Sequence, residues 1–312
     1  MMKIQSLVFG LFAALSLVPS VAATELGTDE LDALRQEALD LVNQVREENG
    51  LESLSLTPTL NEAAQGHAAH MLADDFYAHV SPNGTTPMDR YLEAGGNQWR
   101  VVRENIARCA NCPVPPQEER LRSFQQGWMN SPDHRENILA EGLDSFGFGV
   151  SGEAGEVFAV QMFSGAGTSR GLDDDEQAQA LPPDEMGERL AEIVNRLRED
   201  GEPLSPASAL SAAAQELLPD PLSEGMAIPN EGLFDLLPQQ QRSEWRQLQI
   251  LSSTCGGCGT KPTAQDIEAF VEQWMDSDEY RSILLEAAAG DVGFAMRADG
   301  EGQKIGIAII GR

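Results

Sequence analysis

Two histidines and a glutamate carry the chemistry that this chain could do. His79 lies in Tyr77-Ala78-His79-Val80-Ser81-Pro82-Asn83-Gly84, Glu104 in Arg103-Glu104-Asn105-Ile106-Ala107, and His134 in Asn130-Ser131-Pro132-Asp133-His134-Arg135-Glu136-Asn137. Neutral imidazole nitrogens and a carboxylate oxygen suit zinc or another divalent cation, and two or three protein ligands leave positions open for water or substrate. A water held there could be activated for hydrolysis. The three residues are far apart in the chain, so only a fold can bring them into one site. Two of them also have a quieter reading: His134 could hold Asp133 or a backbone carbonyl at a helix terminus, and Glu104 could pair with Arg103 or Arg135. Ser81 could cap a turn with Pro82 and Asn83. With Asn105 and Ser131 it is expected to line a cleft, ahead of any role as a nucleophile. His67 and His70 have the i, i+3 spacing that shares a helix face, but His67 lies among Leu60, Ala64 and Met71 and reads as core-facing.

The elements that position these residues are written twice. Trp99, Cys109, Cys112, Phe124, Trp128, Ser131 and Arg135 recur 146 positions later as Trp245, Cys255, Cys258, Phe270, Trp274, Ser277 and Arg281. Internal repetition of this kind marks a duplicated structural unit. Between the shared landmarks Glu104 becomes Ile250 and His134 becomes Tyr280, while the region of His79 becomes Gly225-Met226-Ala227-Ile228. Function is therefore expected in the first copy.

Within each copy the periodicity gives the same order of elements. Leu31, Leu34, Ala38, Leu41, Val42 and Val45 form a helical stripe with Thr28 as N-cap and Asn49-Gly50 as the stop; its twin runs from about Asp184 to Asp200. Thr57-Pro58 and Ser205-Pro206 each offer a capping hydroxyl before a proline at the first helical position, so a second helix is expected after each, the later one broken by Pro219. Arg120 to Met129 and Ile267 to Met275 read as a third helix pair. Phe146 to Ser151 with Val157 to Phe163, and Val292 to Met296 with Lys304 to Ile310, read as hairpins turned by Gly152-Glu153-Ala154-Gly155 and by Ala298-Asp299-Gly300-Glu301-Gly302. Helices with an antiparallel-rich sheet in about 140 residues predict a compact α/β sandwich.

The motifs around His79, Glu104 and His134 resemble the signatures of the CAP superfamily, named for cysteine-rich secretory proteins, antigen 5 and pathogenesis-related proteins, and in particular its bacterial SCP-like extracellular branch. The resemblance covers roughly Leu31 to Gly167, and the weaker repeat suggests a degenerate CAP-like domain. It implies an α/β/α sandwich, here in two tandem copies, and a surface cleft with two histidines and two acidic residues in which the histidines can bind zinc or another divalent cation. Carried over by motif, His79 matches the first histidine, Glu104 the glutamate of Glu-Asn-Ile, and His134 the second histidine. The second acidic member has no counterpart, since Gln126-Gly127-Trp128-Met129 stands where relatives place it. The family further implies a binding module for a lipid, sterol or cell-envelope ligand; the alternative is a metal-dependent hydrolase using the same cleft.

Other motifs point away from chemistry. Gly147-Phe148-Gly149-Val150-Ser151-Gly152 fits GxGxxG, but a strand follows where a dinucleotide loop needs a helix, so these glycines read as packing residues. No GxSxG elbow and no HExxH occur. Cys109-Ala110-Asn111-Cys112 and Cys255-Gly256-Gly257-Cys258 could be redox or zinc pairs. Their equivalent placement favours one local disulfide per copy, Cys109–Cys112 and Cys255–Cys258, among the three pairings four cysteines allow.

Composition narrows the partners. Asp and Glu outnumber Lys and Arg 50 to 21, a formal charge of −29 that repels phosphate backbones and anionic membranes. Nucleic acid is excluded as a partner on this ground. Lys3, the apolar run Leu7 to Val18 and Pro19-Ser20-Val21-Ala22-Ala23 read as a secretory signal over residues 1–23. The run is shorter than the roughly 20 residues that span a bilayer, so no transmembrane segment is expected after cleavage. Export, to the periplasm or beyond, suits the disulfides. The expected domains are residues 29–167 and 186–312, joined by an acidic, proline-containing linker over 168–185.

Overall fold

The structure is a computed structural model, described over residues 27–170, 179–198, 201–222 and 232–312. The signal segment, Asp173 to Glu176 of the linker and the segment replacing the His79 loop in the second copy lie outside the described residues. No helix among the described residues is long and apolar enough to cross a membrane.

In the first half the order is α1 (Thr28–Glu48), β1 (Ser55–Leu56), α2 (Pro58–Ala73), α3 (Pro87–Glu93), β2 (Val101–Cys109), α4 (Glu118–Met129), α5 (Pro132–Ile138), β3 (Ser145–Glu153) and β4 (Glu156–Gly165). The strands form one sheet in the order β1-β3-β4-β2. β3 and β4 are a hairpin and β2 runs antiparallel to β4, whereas β1 joins β3 in parallel. The second half repeats the plan with α6 (Met186–Leu197), β5 (Leu204–Pro206), α7 (Ser208–Leu217), β6 (Leu248–Cys255), α8 (Ala264–Asp276), α9 (Asp278–Leu284), β7 (Gly290–Ala298) and β8 (Lys304–Gly311). Its sheet has the matching order β5-β7-β8-β6. The two halves fit tandem copies of one α/β fold.

Period-two alternation along the strands makes each sheet two-faced, with helices on both sides. Phe146, Phe148, Val157, Ala159 and Phe163 pack against α1 and α4, while Ile106, Phe158, Val160 and Met162 pack against α2 and its neighbour Tyr91. The second half buries two equivalent layers, one of which takes in Ile250 and the other Tyr280. Gly147 and Gly149 let α2 lie directly on β3, because a Cβ at either would strike the backbone of Leu60 or of Ala64 and Gln65. The GxGxxG spacing is thus helix-on-strand packing, as expected. Ala154 and Gly155, both at positive φ, turn the hairpin in two residues.

Several boundaries move. α1 is capped by Gly27, whose N–H is accepted by Glu30, one residue before the expected Thr28. Thr57 caps α2 by accepting the Leu60 N–H. Ser205-Pro206, however, does not cap α7: it belongs to β5, paired with Asp291 and Val292, and the helix starts at Ser208. Leu210 rests on Gly293 as Leu60 rests on Gly147, so Ser205-Pro206 is equivalent to Ser55-Leu56 and not to the capping dipeptide. β2 and β6, the short α3, α5 and α9, and the parallel β1 and β5 had no periodic signal long enough to read.

Candidate functional site

The site forms at the outer edge of β2, the last strand of the first sheet. An edge strand leaves carbonyls without a ladder partner, and side chains satisfy them. Trp128 Nε1–H donates to Ile106 O at 2.9 Å, the Tyr77 hydroxyl to the same carbonyl at 3.0 Å, and Asn137 Nδ2 to Glu104 O at 3.1 Å. The loop after α2 and the turn into α5 are thereby drawn to one edge, bringing His79 and His134 to either side of it.

Glu104 points toward α2 and α3 and is 5 % exposed. Its Oε1 accepts from His79 Nδ1–H at 2.9 Å and its Oε2 from Arg90 Nη2 at 2.7 Å. Neither Arg103 nor Arg135 is its partner; Arg103 reaches Glu136 and Asn137 instead. Arg90, buried on α3, also donates to His79 O at 2.8 Å, Thr85 O at 3.1 Å and Ser81 Oγ at 3.3 Å. One guanidinium therefore fixes both the His79 loop and the carboxylate that orients the His79 ring, a use of its five fixed donors. Thr86 and Asp89 hold α3 in place through a reciprocal capping box, with Pro87 in its first turn.

His67 completes the buried side. It is fully buried, as expected of a core-facing residue, with Nε2–H donating to Ala78 O at 3.0 Å and lying 3.9 Å from Glu104 Oε1. Burial pushes its pKa down to about 4; the Glu104 charge opposes this and Arg90 reinforces it. Its Nδ1 has no hydrogen-bond partner among the described residues.

His134 is held from the opposite face. Asn105, fully buried, donates through Nδ2 to His134 O at 3.1 Å and to Gln161 Oε1 at 3.2 Å, and Gln161 donates to Gln125 Oε1 at 2.9 Å. Asn137 Nδ2 closes this amide chain on Asn105 Oδ1 at 2.9 Å. The His134 imidazole is kept below the ordinary histidine pKa by partial burial and by the charge of His79, against which Asp133 acts. Ser81 and Asn105, expected to line a cleft, are buried; Ser131 is the N-cap of α5 and makes no side-chain capping bond.

His79 itself is exposed, and so are its neighbours Tyr77 at 47 % and Val80 at 50 %. The donor set for a cation is consequently two imidazoles. Glu104 has both oxygens engaged, so it stands behind His79 as an orienting carboxylate of the kind that supports metal-bound histidines. Among the described residues no group of three or more His, Cys, Asp and Glu is arranged to hold a metal. His79, its ring fixed by a carboxylate, and His134 are the residues that would hold a divalent cation, and they would supply two ligands only.

Arg90, Gln161 and Gln125 were not among the sequence candidates. Arg90 follows Thr86-Pro87-Met88-Asp89, whose capping pattern signals a helix start but gives no direction to the guanidinium. The cysteines pair locally, Cys109 with Cys112 and Cys255 with Cys258.

Residues 39–163 match the family model described as CAP, the cysteine-rich secretory protein family. YkwD, an uncharacterized protein of Bacillus subtilis, is 28 % identical over 139 residues, 45 % of this chain and 50 % of its own length. YlbC, an uncharacterized membrane protein of the same bacterium, is 32 % identical over 115 residues, 37 % of this chain and 31 % of its own. The chain thus spans half of one curated relative and under a third of the other. A solved extracellular protein of Bacillus anthracis that contains an SCP domain is 28 % identical, over 45 % of this chain and 44 % of that one, with a TM-score of 0.36.

Proposed function

Residues 39–163 form a CAP-family domain, and from that premise we propose that this is an exported binding module, secreted or periplasmic, whose His79/Glu104/His134 cleft takes a lipid-like, sterol or cell-envelope ligand. CAP domains are typically extracellular binding modules. The observation that carries the reading is a locked carboxylate behind His79 together with exposed apolar side chains beside it in the chain. Glu104 is committed to Arg90 and His79, so it serves to orient a ring in place of shuttling protons. Tyr77 and Val80, neighbours of His79 in the chain, are exposed, which suits a ligand with an apolar body and one polar group for His79.

The test is equilibrium binding of a fluorescent sterol and a fluorescent long-chain fatty acid to the mature protein. Val80→Asp is expected to weaken binding about tenfold or more, the worth of burying one valine side chain, and His79→Ala to weaken it further. If neither probe binds, or if both variants bind as the parent does, the reading fails.

The neutral His134 imidazole beside a carboxylate-fixed His79 favours a second reading, a divalent-cation site that supports hydrolysis. A bound cation would supply an activated water; the chain's part is to present two ring nitrogens, the His134 imidazole being kept below the ordinary histidine pKa by partial burial. Metal content of the purified protein after dialysis against zinc decides it. Binding that His79→Ala and His134→Ala each abolish supports the site, and zinc that stays after both removes it.

A further inference from the structure

We propose that the junction between the two halves is a second binding site, independent of the His79 cleft, for a neutral, hydroxyl-rich ligand such as a short oligosaccharide. The halves meet through the Cys255–Cys258 loop: Gly257 N–H donates to Trp99 O at 2.7 Å and Gly259 N–H to Ala166 O at 2.9 Å, and Gly167 and Cys258 form a β-bridge. Arg100 clamps the joint by pairing with Asp144 in its own half and Glu301 in the other. Beside this seam lies a cavity of about 530 Å³, walled by residues 92–99 on one side and by residues near 221, 299 and 303 on the other. That volume falls in the range of small-molecule sites.

The behaviour of the repeated tryptophan sets this cavity apart from a packing gap. Trp245 is 5 % exposed and donates its indole N–H to Asp291 Oδ2 at 2.7 Å. Its counterpart Trp99 is only part-buried, lines the cavity, and has no indole hydrogen bond to a described residue. The same scaffold position is structural in one half and presented in the other. Gln303 is 4 % exposed and lies on the cavity wall. The part-buried indole gives an apolar platform, and Gln98, Gln303 and Asp299 line the same cavity with polar groups. This is the chemistry that meets a sugar ring, whose C–H face packs on an aromatic and whose hydroxyls need amide and carboxylate partners. No lysine, arginine or histidine is among the described lining residues, and Asp299 is, so the described wall favours a neutral ligand over an anionic one.

Calorimetric titration of the mature full chain with chitotriose, maltotriose and cellotriose at millimolar concentration tests the site, with trigalacturonate as the anionic arm. At least one neutral sugar is expected to bind, with affinity lowered about tenfold or more by Trp99→Ala and kept within about threefold by Trp99→Phe. His79→Ala should leave this binding unchanged, which separates it from the cleft reading. Because Trp99→Ala also touches the seam, Gln98→Ala, an exposed residue making no seam contact, serves as the second variant and is expected to weaken the same sugar. Absence of binding by all three neutral sugars, trigalacturonate binding as tightly, or neutral-sugar affinity unmoved by both Trp99→Ala and Gln98→Ala would overturn the proposal.

Discussion

His67 has the carboxylate of Glu104 3.9 Å away and is still held neutral. Burial outweighs that attraction, and the Arg90 guanidinium on the far side of the carboxylate adds to it. The consequence for stability follows from proton counting. An unfolded histidine titrates near 6.5 and the folded one at about 4, so above the upper value both states are neutral and pH has no effect through this residue. As pH falls between the two, the unfolded chain takes up a proton that the folded chain refuses, and stability declines by up to about 1.4 kcal/mol per pH unit. Urea unfolding of the parent and of His67→Gln at about pH 7 and about pH 4.5 isolates this contribution. The parent should lose more stability than the variant on acidification; equal losses would show that His67 accepts its proton in place.

The placement of these side chains depends on how closely α2 lies on the sheet. Gly147 and Gly149 on β3 allow the backbone of α2 to touch the strand, and Gln65 ties the contact by exchanging bonds with Val150 N–H and O at 3.1 and 3.0 Å. Gly149→Ala introduces a Cβ into the space of the Ala64 carbonyl and the Gln65 nitrogen. Neither atom belongs to a flexible side chain, so the helix must shift and take His67 with it. A loss of about 1–3 kcal/mol is expected, as for overpacked cores, measured as a lowered denaturation midpoint at unchanged m-value. A neutral result would mean that α2 has room to move away from β3. The short α3 and α5 matter for a different reason: each has seven residues, and each supplies one residue that grips the His79 loop or β2, Arg90 in the first and Asn137 in the second.

At the scale of the whole molecule the second half keeps the scaffold and replaces the site with apolar residues, Ile250 and Tyr280 packing into its two cores. Its hairpin and disulfide loop close on the first half. Gly302, at φ +109°, sits where a Cβ would strike the carbonyls of Trp99 and Ala166. Gly302→Val is therefore expected to part the halves without unfolding either. Small-angle scattering should report a larger radius of gyration at constant far-ultraviolet circular dichroism. An unchanged radius would place the cohesion of the two halves in the bonds of the Cys255–Cys258 loop to Trp99 and Ala166 and in the Arg100 ion pairs.

What the amino-acid order determined by itself is local or repeated. The stripe of α1, the Thr57-Pro58 start of α2, the β3–β4 hairpin, the two cysteine pairs and the loss of His79, Glu104 and His134 in the second copy are all visible in it. Each rests on contacts within a few residues or on comparison of the chain with itself. The edge strands and the short helices were not legible, because β2 is half buried with polar residues among its apolar ones and a seven-residue helix has no room for a periodic stripe. The tertiary structure alone decided the partners: that Glu104 takes Arg90, that Asn105 and Gln161 run an amide chain beneath His134, and that Trp99 is presented where Trp245 is buried. Those choices depend on strand register and on which residues, tens of positions apart, converge at the edge of β2 and at the seam. A charged or amide group is committed only when the fold removes its water and leaves one partner in reach.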